Sequence, residues 1–283
     1  MARSCDSYRE WQTYYFEELR QAESVFDFGN YALIENAWES RTLAVKVGHI
    51  HYLLKEGEFS FDSLHQITER AVLESFDLLV CKVYCSDVLA NRSLIAAGFS
   101  CVDTSMIYTH DCVQVGRSLP SASFNVREAE PDDQGAAFSL AEQSFSAHFG
   151  RFHQDPNIEL TRAHGIYGQW VRSSFAGYAD KILVAEEAGT LLGLSIWRYG
   201  SKLEQRLLPG LAHYSLGFVS TQAMRNGIFS ALTQAGVQLL QQKGYRIIEG
   251  PTHAGNIPVQ RVYVKYGWKP ADATATYHLW LKK

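Results

Sequence analysis

Short apolar runs and longer segments with apolar residues at every third or fourth position alternate along this chain. LLVCKVY (78–84), CVDTSMIYTH (101–110), FNVRE (124–128), KILVAEE (181–187), TLLGLSIWRY (190–199), LAHYSLGFV (211–219), RIIEG (246–250) and TATYHLWL (274–281) predict strands. Ala188 and Gly189 between the fourth and fifth of these mark a hairpin. GIFSALTQAGVQLLQQKG (227–244) places Ile228, Leu232, Ala235, Leu239 and Leu240 at helical spacing, and Gly244 supplies a C-terminal stop. Helices are also expected over VLANRSLIAAGF (88–99), after Pro131, over ELTRAHGIYGQWVRSSF (159–175) and over IPVQRVYVKYG (257–267). The second half thus reads β, α, α, β, β, β, α, β, α, β. That order predicts a mixed α+β fold, a mixed sheet flanked by helices.

The stretch HDCVQVGRSLPSASF (110–124) gathers Gly116, Pro120 and three serines between two patterned regions and reads as a linker. It divides the 283 residues into a smaller N-terminal domain, 1–119, and a second domain, 120–283. The halves echo one another. In each, a strand leads through a polar residue (Asp87, Asn256) into a helix that ends at a glycine and an aromatic (Gly98 and Phe99, Gly267 and Trp268) before another strand. Counting back from the closing glycine sets Leu94 against Tyr263 and Asp87 against Asn256, so any chemistry belongs to the second copy.

At 46% hydrophobic residues the chain can bury a substantial core. Its 26 Lys and Arg against 30 Asp and Glu give a net charge of -4, which argues against nucleic acid or an anionic membrane as partner. No apolar run has the length of a membrane span or the core of a signal peptide, so a cytoplasmic protein is expected. Cys5, Cys81, Cys85, Cys101 and Cys112 form no disulfide or zinc pattern and are expected to be buried thiols; no metal is expected.

Two motifs carry the chemistry. LGFVSTQAMRNGIFSAL (216–232) takes a strand through a loop to a helix opened by Gly227, and NIPVQRVYVKYGW (256–268) spaces Asn256, Tyr263, Gly267 and Trp268. Together they resemble the GCN5-related N-acetyltransferase (GNAT) superfamily. Its loop pattern is Gln or Arg, two residues, Gly, one residue, then Gly or Ala; Met224 and Phe229 depart from it here. The resemblance implies a GNAT fold with a splayed sheet in residues 120–283, preceded by a degenerate GNAT-like N-terminal domain.

It also implies binding of a coenzyme A thioester. Met224, Arg225, Asn226, Gly227, Ile228 and Phe229 would cradle the pyrophosphate, where amides at a helix start and the helix dipole favour an anion. Leu216, Gly217, Phe218 and Val219 would hold the pantetheine on the strand edge, and Asn256 would bond to it or to backbone nearby. Tyr263 takes the place of the acid that meets the leaving thiolate. His213, six residues before Val219, takes that of the base that receives the amine's proton, a role suited to a group of ordinary pKa near 6.5. His148 and His153 are rival bases.

Asn36, Ala37 and Trp38, the pair Gly98 and Phe99, and the segments SFSAHFGRF (144–152) and IYGQWVRSSFAG (166–177) further resemble the dTDP-fucosamine acetyltransferase type. That resemblance implies an acceptor of the dTDP-4-amino-4,6-dideoxygalactose kind, met by His148, Phe149, Arg151, Phe152, Tyr167, Trp170 and Tyr214, and a place in O-antigen and lipopolysaccharide biosynthesis. Tyr167 and Trp170, three apart on a helix, also fit a buried stripe. The donor is acetyl-coenzyme A or, given the altered loop, a longer thioester such as 3-hydroxybutanoyl. Other readings are a transferase acting on a peptide or small amine, and a non-catalytic coenzyme A-binding or interaction module.

Overall fold

The computed structural model describes residues 25–27, 31–52, 61–112, 123–146 and 150–281. They fall into two compact units, which differ from a single cut of the chain at 119/120. Unit 1 draws on Met1–Ser105, Gly150–Glu159 and Asp272–Lys283, and unit 2 on Met106–Phe149 and Leu160–Ala271. Each unit therefore contains segments distant in sequence. The region read as a linker is partly strand, because the last strand of the first half runs on to Asp111; Gly116 and Pro120 lie outside the described residues.

Unit 1 holds β1 (Val25–Asp27), β2 (Tyr31–Glu35), β3 (Val47–Tyr52), β4 (Leu78–Tyr84), the start of β5 (Ser100–Asp111) and most of β11 (Lys269–Trp280). Its helices are α1 (Ala37–Leu43), α2 (Phe61–Leu73), α3 (Val88–Ala96) and the single turn α5 (Arg151–Gln154). The order β1-β2-β3-β4-β11 is antiparallel except for β3 and β4, which run parallel over Val47–Ile50 and Leu78–Cys81. One face of this sheet, with Leu33, Ile50, Leu79, Cys81, Ala275 and Tyr277, packs on α2 and α3. Cys85 and Cys101 are exposed, contrary to the expectation of buried thiols, whereas Cys81 and Cys112 are buried. Cys85 lies just past the end of β4, and Cys101 on β5 has no inward-facing position.

The other face of unit 1 carries charge under cover. Glu39, on α1 and 4% exposed, accepts hydrogen bonds from His49 Nε2 (3.0 Å) and from the Arg151 guanidinium. Asp155, 3% exposed, accepts from His278 Nδ1 (2.7 Å), Trp280 Nε1 (2.8 Å) and its own turn at Asn157 N (2.9 Å). Burial opposes ionisation of both carboxyls, but the opposite charges and hydrogen bonds outweigh it and hold each at about 2. Burial and the neighbouring His49 depress His51 to about 4, and burial also lowers His278.

Unit 2 holds the rest of β5, then β6 (Asn125–Glu128), β7 (Lys181–Glu187), β8 (Thr190–Tyr199), β9 (Leu211–Val219) and β10 (Ile247–His253), in the order β5-β10-β9-β8-β7-β6. Its helices are α4 (Gln134–Phe145), α6 (Leu160–Ser173), α7 (Lys202–Leu207), α8 (Ile228–Gln242) and α9 (Ile257–Lys265). Helix α4 starts where Pro131–Asp133 forms a 3-10 turn closed by reciprocal bonds between Glu130 and Asp133. The β7–β8 hairpin turns at Ala188 and Gly189, both with positive φ, as expected of that pair. Helices α4 and α6 cover one face of the sheet through Ala137, Ala141, Phe145, Tyr167 and Val171, and α8 covers the other through Ile228, Leu232, Val237 and Leu240.

Acid should unfold unit 1 first. Depressed histidines must be protonated against burial once the pH falls below their unfolded value of about 6.5, and the stability that the Glu39 and Asp155 carboxylates contribute is lost progressively between about 4.5 and about 2. His51 alone implies a loss of about 2 kcal/mol between pH 6.5 and 5, a Tm drop of roughly 5 °C. Melting curves across that range should show this slope, and His51→Gln should flatten it.

Candidate functional site

The site is built where β9 leaves β10. Their parallel ladder joins Ile247, Ile248 and Glu249 to Leu211, Ala212 and His213, and ends there. On its other side β9 stays with β8 as far as Gly193↔Val219, but the register slips between Ile196 and Trp197, whose partners are Leu216 and Tyr214. Ser215 is thus the extra residue of a bulge. A bulge sharpens local twist and bends the strand that carries it. The backbone edge of Leu216, Gly217, Phe218 and Val219 is thereby freed on the β10 side.

At the end of β9 the chain passes through a 3-10 turn, Thr221–Ala223, capped by Ser220 Oγ accepting from Gln222 N (3.3 Å). Met224, Arg225, Asn226 and Gly227 follow, all exposed. Arg225 (φ 69°) and Gly227 (φ 81°) both adopt the left-handed conformation, strained for the arginine and natural for the glycine. Helix α8 has Gly227 as its N-cap, and no side chain caps it. Its first amides, including those of Ile228 and Phe229, therefore have no acceptor within the helix and point out of its positive end.

The Phe229 ring turns inward. It lies 6.2 Å from the Tyr214 ring and 6.4 Å from that of Tyr263. Tyr263, 3% exposed on α9, stacks on Trp268 at 4.6 Å and lies 5.3 Å from Tyr108. Its hydroxyl is at the gap: a Cβ placed on Gly250, the first residue of β10 past the ladder, would be 3.2 Å from it and 3.4 Å from Tyr214 Cβ. Burial, with the neighbouring phenols Tyr214 and Tyr108, raises Tyr263 well above 10, so it stays protonated at any working pH.

Asn256 is the N-cap of α9 by position, but its side chain makes no capping bond. The equivalent place in unit 1 shows the contrast. Asp87 accepts from Ala90 N (2.9 Å) and closes the cap of α3, and Leu94, opposite Tyr263 in the repeat, is a core residue. Both copies end alike: Phe99 N bonds to Leu94 O and Trp268 N to Tyr263 O, each at 3.0 Å. The second copy alone leaves the amide unspent and sets a phenol where the first has leucine. Gln260 steadies the turn before α9, donating to Ala254 O (2.6 Å) and accepting from Tyr108 Oη (3.0 Å).

His213 is on the opposite face of β9 from Tyr214. Its Nε2 bonds to Glu204 Oε1 at 3.0 Å. Burial works against the Glu204 charge, but His213 and the Ser201 amide and hydroxyl hold the carboxyl down to about 2. A carboxylate on Nε2 fixes the proton there and leaves Nδ1 with a lone pair, the arrangement a base requires. Sequence reasoning missed Glu204, because its link to His213 joins a short helix to a strand, and missed Arg198 and Glu249, the cross-strand partners of His213.

The residues expected around the acceptor are scattered. Arg151 and Phe152 belong to unit 1, where Arg151 is bound to Glu39 and lies 4.1 Å from the Phe152 ring centre. Tyr167 is in the core of unit 2, stacked on Phe145 at 3.8 Å, with Trp170 half-buried at its edge. Tyr214 is fully buried on the α8 face, stacked on Trp197 at 4.2 Å. His148 and Phe149 lie outside the described residues, and His153 is on α5 in unit 1. Asn36 caps α1 by accepting from Glu39 N (3.0 Å), and Phe99 is core, so both features of the looser resemblance have structural duties. Among the described residues no group of three or more His, Cys, Asp and Glu is arranged to hold a metal, and no helix is long and apolar enough to cross a membrane.

A central strand that parts from its parallel neighbour beside an uncapped helix start defines the GNAT fold, and this chain has it, in tandem with a degenerate copy. A GCN5-related N-acetyltransferase from Sphaerobacter thermophilus superposes with a TM-score of 0.67 at 15% identity, over 95% of this chain and 86% of that one. A tandem GNAT protein from the clavulanic acid biosynthesis pathway gives 0.59 at 14%, covering 100% of this chain and 98% of that one. The glucosamine N-acetyltransferase region of a fungal multi-domain GH3 β-N-acetylglucosaminidase gives 0.60 at 12%, over 88% of this chain and 31% of that one. At these identities the likeness is one of fold. No family model and no curated protein matches the sequence.

Gly217 tests the packing that shapes the gap. A Cβ there would run into the buried Tyr214 hydroxyl, so Gly217→Ala should cost about 1–3 kcal/mol in denaturant unfolding. Gly135→Ala on α4, where a Cβ meets nothing within 4 Å, should instead stabilise by roughly 0.5–1 kcal/mol.

Proposed function

We propose that this chain is an acyl-coenzyme A dependent N-acyltransferase whose acceptor is the amino group of a dTDP-linked amino-dideoxysugar, serving bacterial surface polysaccharide synthesis. The observation that carries the transferase reading is convergence at one gap. The free edge of β9, the open start of α8 and the Tyr263 phenol border it, and Asn256, its side-chain amide unspent, opens the helix that carries the phenol. The amides of Gly227, Ile228 and Phe229 suit the pyrophosphate of a coenzyme A thioester, with Arg225 beside them. The β9 edge between Leu216 and Val219 suits the pantetheine amides.

The reaction needs a neutral amine. His213, held by Glu204, takes the ammonium proton on Nδ1 and frees the nitrogen lone pair to attack the thioester carbon. A β9 amide faces the oxyanion. As the C–S bond breaks, the electron pair goes to sulfur, which Tyr263 meets with its O–H. A thiolate whose acid has a pKa near 8.5 is a weaker base than this buried phenolate, so the phenol acts chiefly as a hydrogen-bond donor. The second proton, shed by the attacking nitrogen as the adduct collapses to the amide, goes to the departing thiolate. The rings of Phe229, Tyr214 and Tyr263 crowd the space at the phenol and favour acetyl over 3-hydroxybutanoyl. The sugar acceptor rests on the sequence resemblance and on a shared fold with a glucosamine N-acetyltransferase region.

Coenzyme A at about 100 times its Kd should raise the Tm by several degrees through binding linkage. Tyr263→Phe should lower kcat about 10²-fold or more with KM for the thioester within about twofold. Unchanged turnover in that variant, read by free thiol release, removes the phenol from the mechanism. A panel of amino-sugar nucleotides, simple amines and peptides tests the acceptor, and preference for a peptide would replace the sugar.

A further inference from the structure

At the point where the ladder ends, three charged or titratable residues stand in a row across adjacent strands: Arg198 on β8 pairs with His213 on β9, which pairs with Glu249 on β10. Cross-strand partners share a face, with Cβ atoms of a direct antiparallel pair about 5 Å apart. Trp197, Tyr199, Ala212, Tyr214 and Ile248, the chain neighbours of these three, all pack toward α8 and α9. Arg198 and His213 therefore project together from the opposite face, where the amine must arrive.

Arg198 differs from the other arginines near charge in this molecule. Arg127 is bound by Asp133 and Glu186, and Arg151 by Glu39. Arg198 has no carboxylate within ion-pair reach among the described residues. Its hydrogen bond is to a neutral group, Tyr178 Oη at 3.2 Å, and its guanidinium lies 4.3 Å from the centre of the same ring. Its Nε is buried with no partner. A guanidinium held over a phenol ring, with its Nε unspent, is an ordered fork for a planar or tetrahedral anion. Tyr178 is itself held by the π-turn Ser174–Tyr178, in which Gly177 (φ 104°) breaks the helix, an irregularity often found at functional positions. His213 occupies Glu204, so that carboxylate is not free to neutralise the arginine.

We infer that Arg198 is the anion-recognising residue of the acceptor site, and that the acceptor is an amine bearing a phosphate or carboxylate close enough to reach Arg198 while the amine is at His213. This rests on the transferase reading and narrows it: the arginine that meets the diphosphate is Arg198, since Arg151 is spent on Glu39. An anion seated on the β8 side of the row also keeps its distance from Glu249.

Two measurements separate this inference from the reading beneath it. The first is calorimetric titration of thymidine 5′-diphosphate into the full chain with its donor site saturated by coenzyme A, which needs no turnover. The wild type should bind, and Arg198→Gln should weaken binding about tenfold or more, with Arg198→Lys in between. Equal binding by the wild type and Arg198→Gln, or none by the wild type, overturns the inference. The second is the ratio of kcat/KM for a nucleotide-linked amino sugar to that for the corresponding neutral amino sugar. That ratio should collapse about tenfold or more in Arg198→Gln and partly recover in Arg198→Lys. A purely structural arginine would depress both acceptors alike and leave the ratio unchanged, which also overturns it. Thiol release with no amine at all, while the diphosphate still binds through Arg198, would defeat the transferase reading and leave the anion site standing.

Discussion

Everything at the site depends on β9 being shared unequally between its neighbours. It stays with β8 to its last residue but leaves β10 after three pairs, and the bulge at Ser215 lies just beyond the last of them. A strand cannot leave a parallel partner cheaply, because each abandoned pair exposes backbone donors and acceptors that must find other partners. Here the opening is propped by aromatic mass rather than by polar groups. Trp197, Tyr214, Trp268, Tyr263 and Phe229 form a continuous aromatic cluster on the α8 and α9 side, and Gly217 and Gly250 make room for it. The freed edge is thus held open by packing, and the phenol is fixed beside it.

The same parting separates the two faces chemically. Because side chains alternate along a strand, the residues at the end of the ladder send Tyr214 into the aromatic cluster and His213 to the other side. The Tyr263 phenol and the His213 imidazole therefore lie on opposite faces of the sheet. Glu204 serves this arrangement by fixing the tautomer of His213, and its capping box with Ser201 fixes Glu204 in turn. The imidazole is therefore held by a short helix whose sequence, KLEQRL, carries no local signal of that contact.

What was legible in the sequence follows from locality. Periodic strands and helices of unit 2 announce themselves, as does the spacing from Asn256 to Trp268, because each is decided by residues near one another in the chain. The loop motif was legible in Gly227, and its departure at Phe229 proves to be a side chain turned inward rather than a clash at the amides. Exchange of segments between the units was not legible. TATYHLWL reads as a strand whatever sheet receives it, and most of β11 packs in unit 1. SFSAHFGRF mixes aromatics with charge, a composition that serves a ligand loop and a docked segment equally well. The ion pairs joining Arg151 to Glu39 and Asp155 to His278 span 112 and 123 residues, beyond any local signal. Arg198 required counting a hairpin register through a bulge.

The repeat supplies a control within the molecule. Both copies build a parallel strand pair, a helix entered through a polar residue and a matched exit, so this much is the fold's requirement and implies no chemistry. Where the copies differ, the first spends its groups on stability: Asp87 closes the cap and Leu94 fills the core. The second leaves its cap open, at about 1 kcal/mol by the usual scale, and fills the core position with a tyrosine whose hydroxyl must be taken out of water. An open cap and a desolvated hydroxyl both cost stability, and the neighbouring copy shows that the same backbone accepts the cheaper solution. Asn256 and Tyr263 are therefore the positions at which the second copy departs from the solution its neighbour adopts.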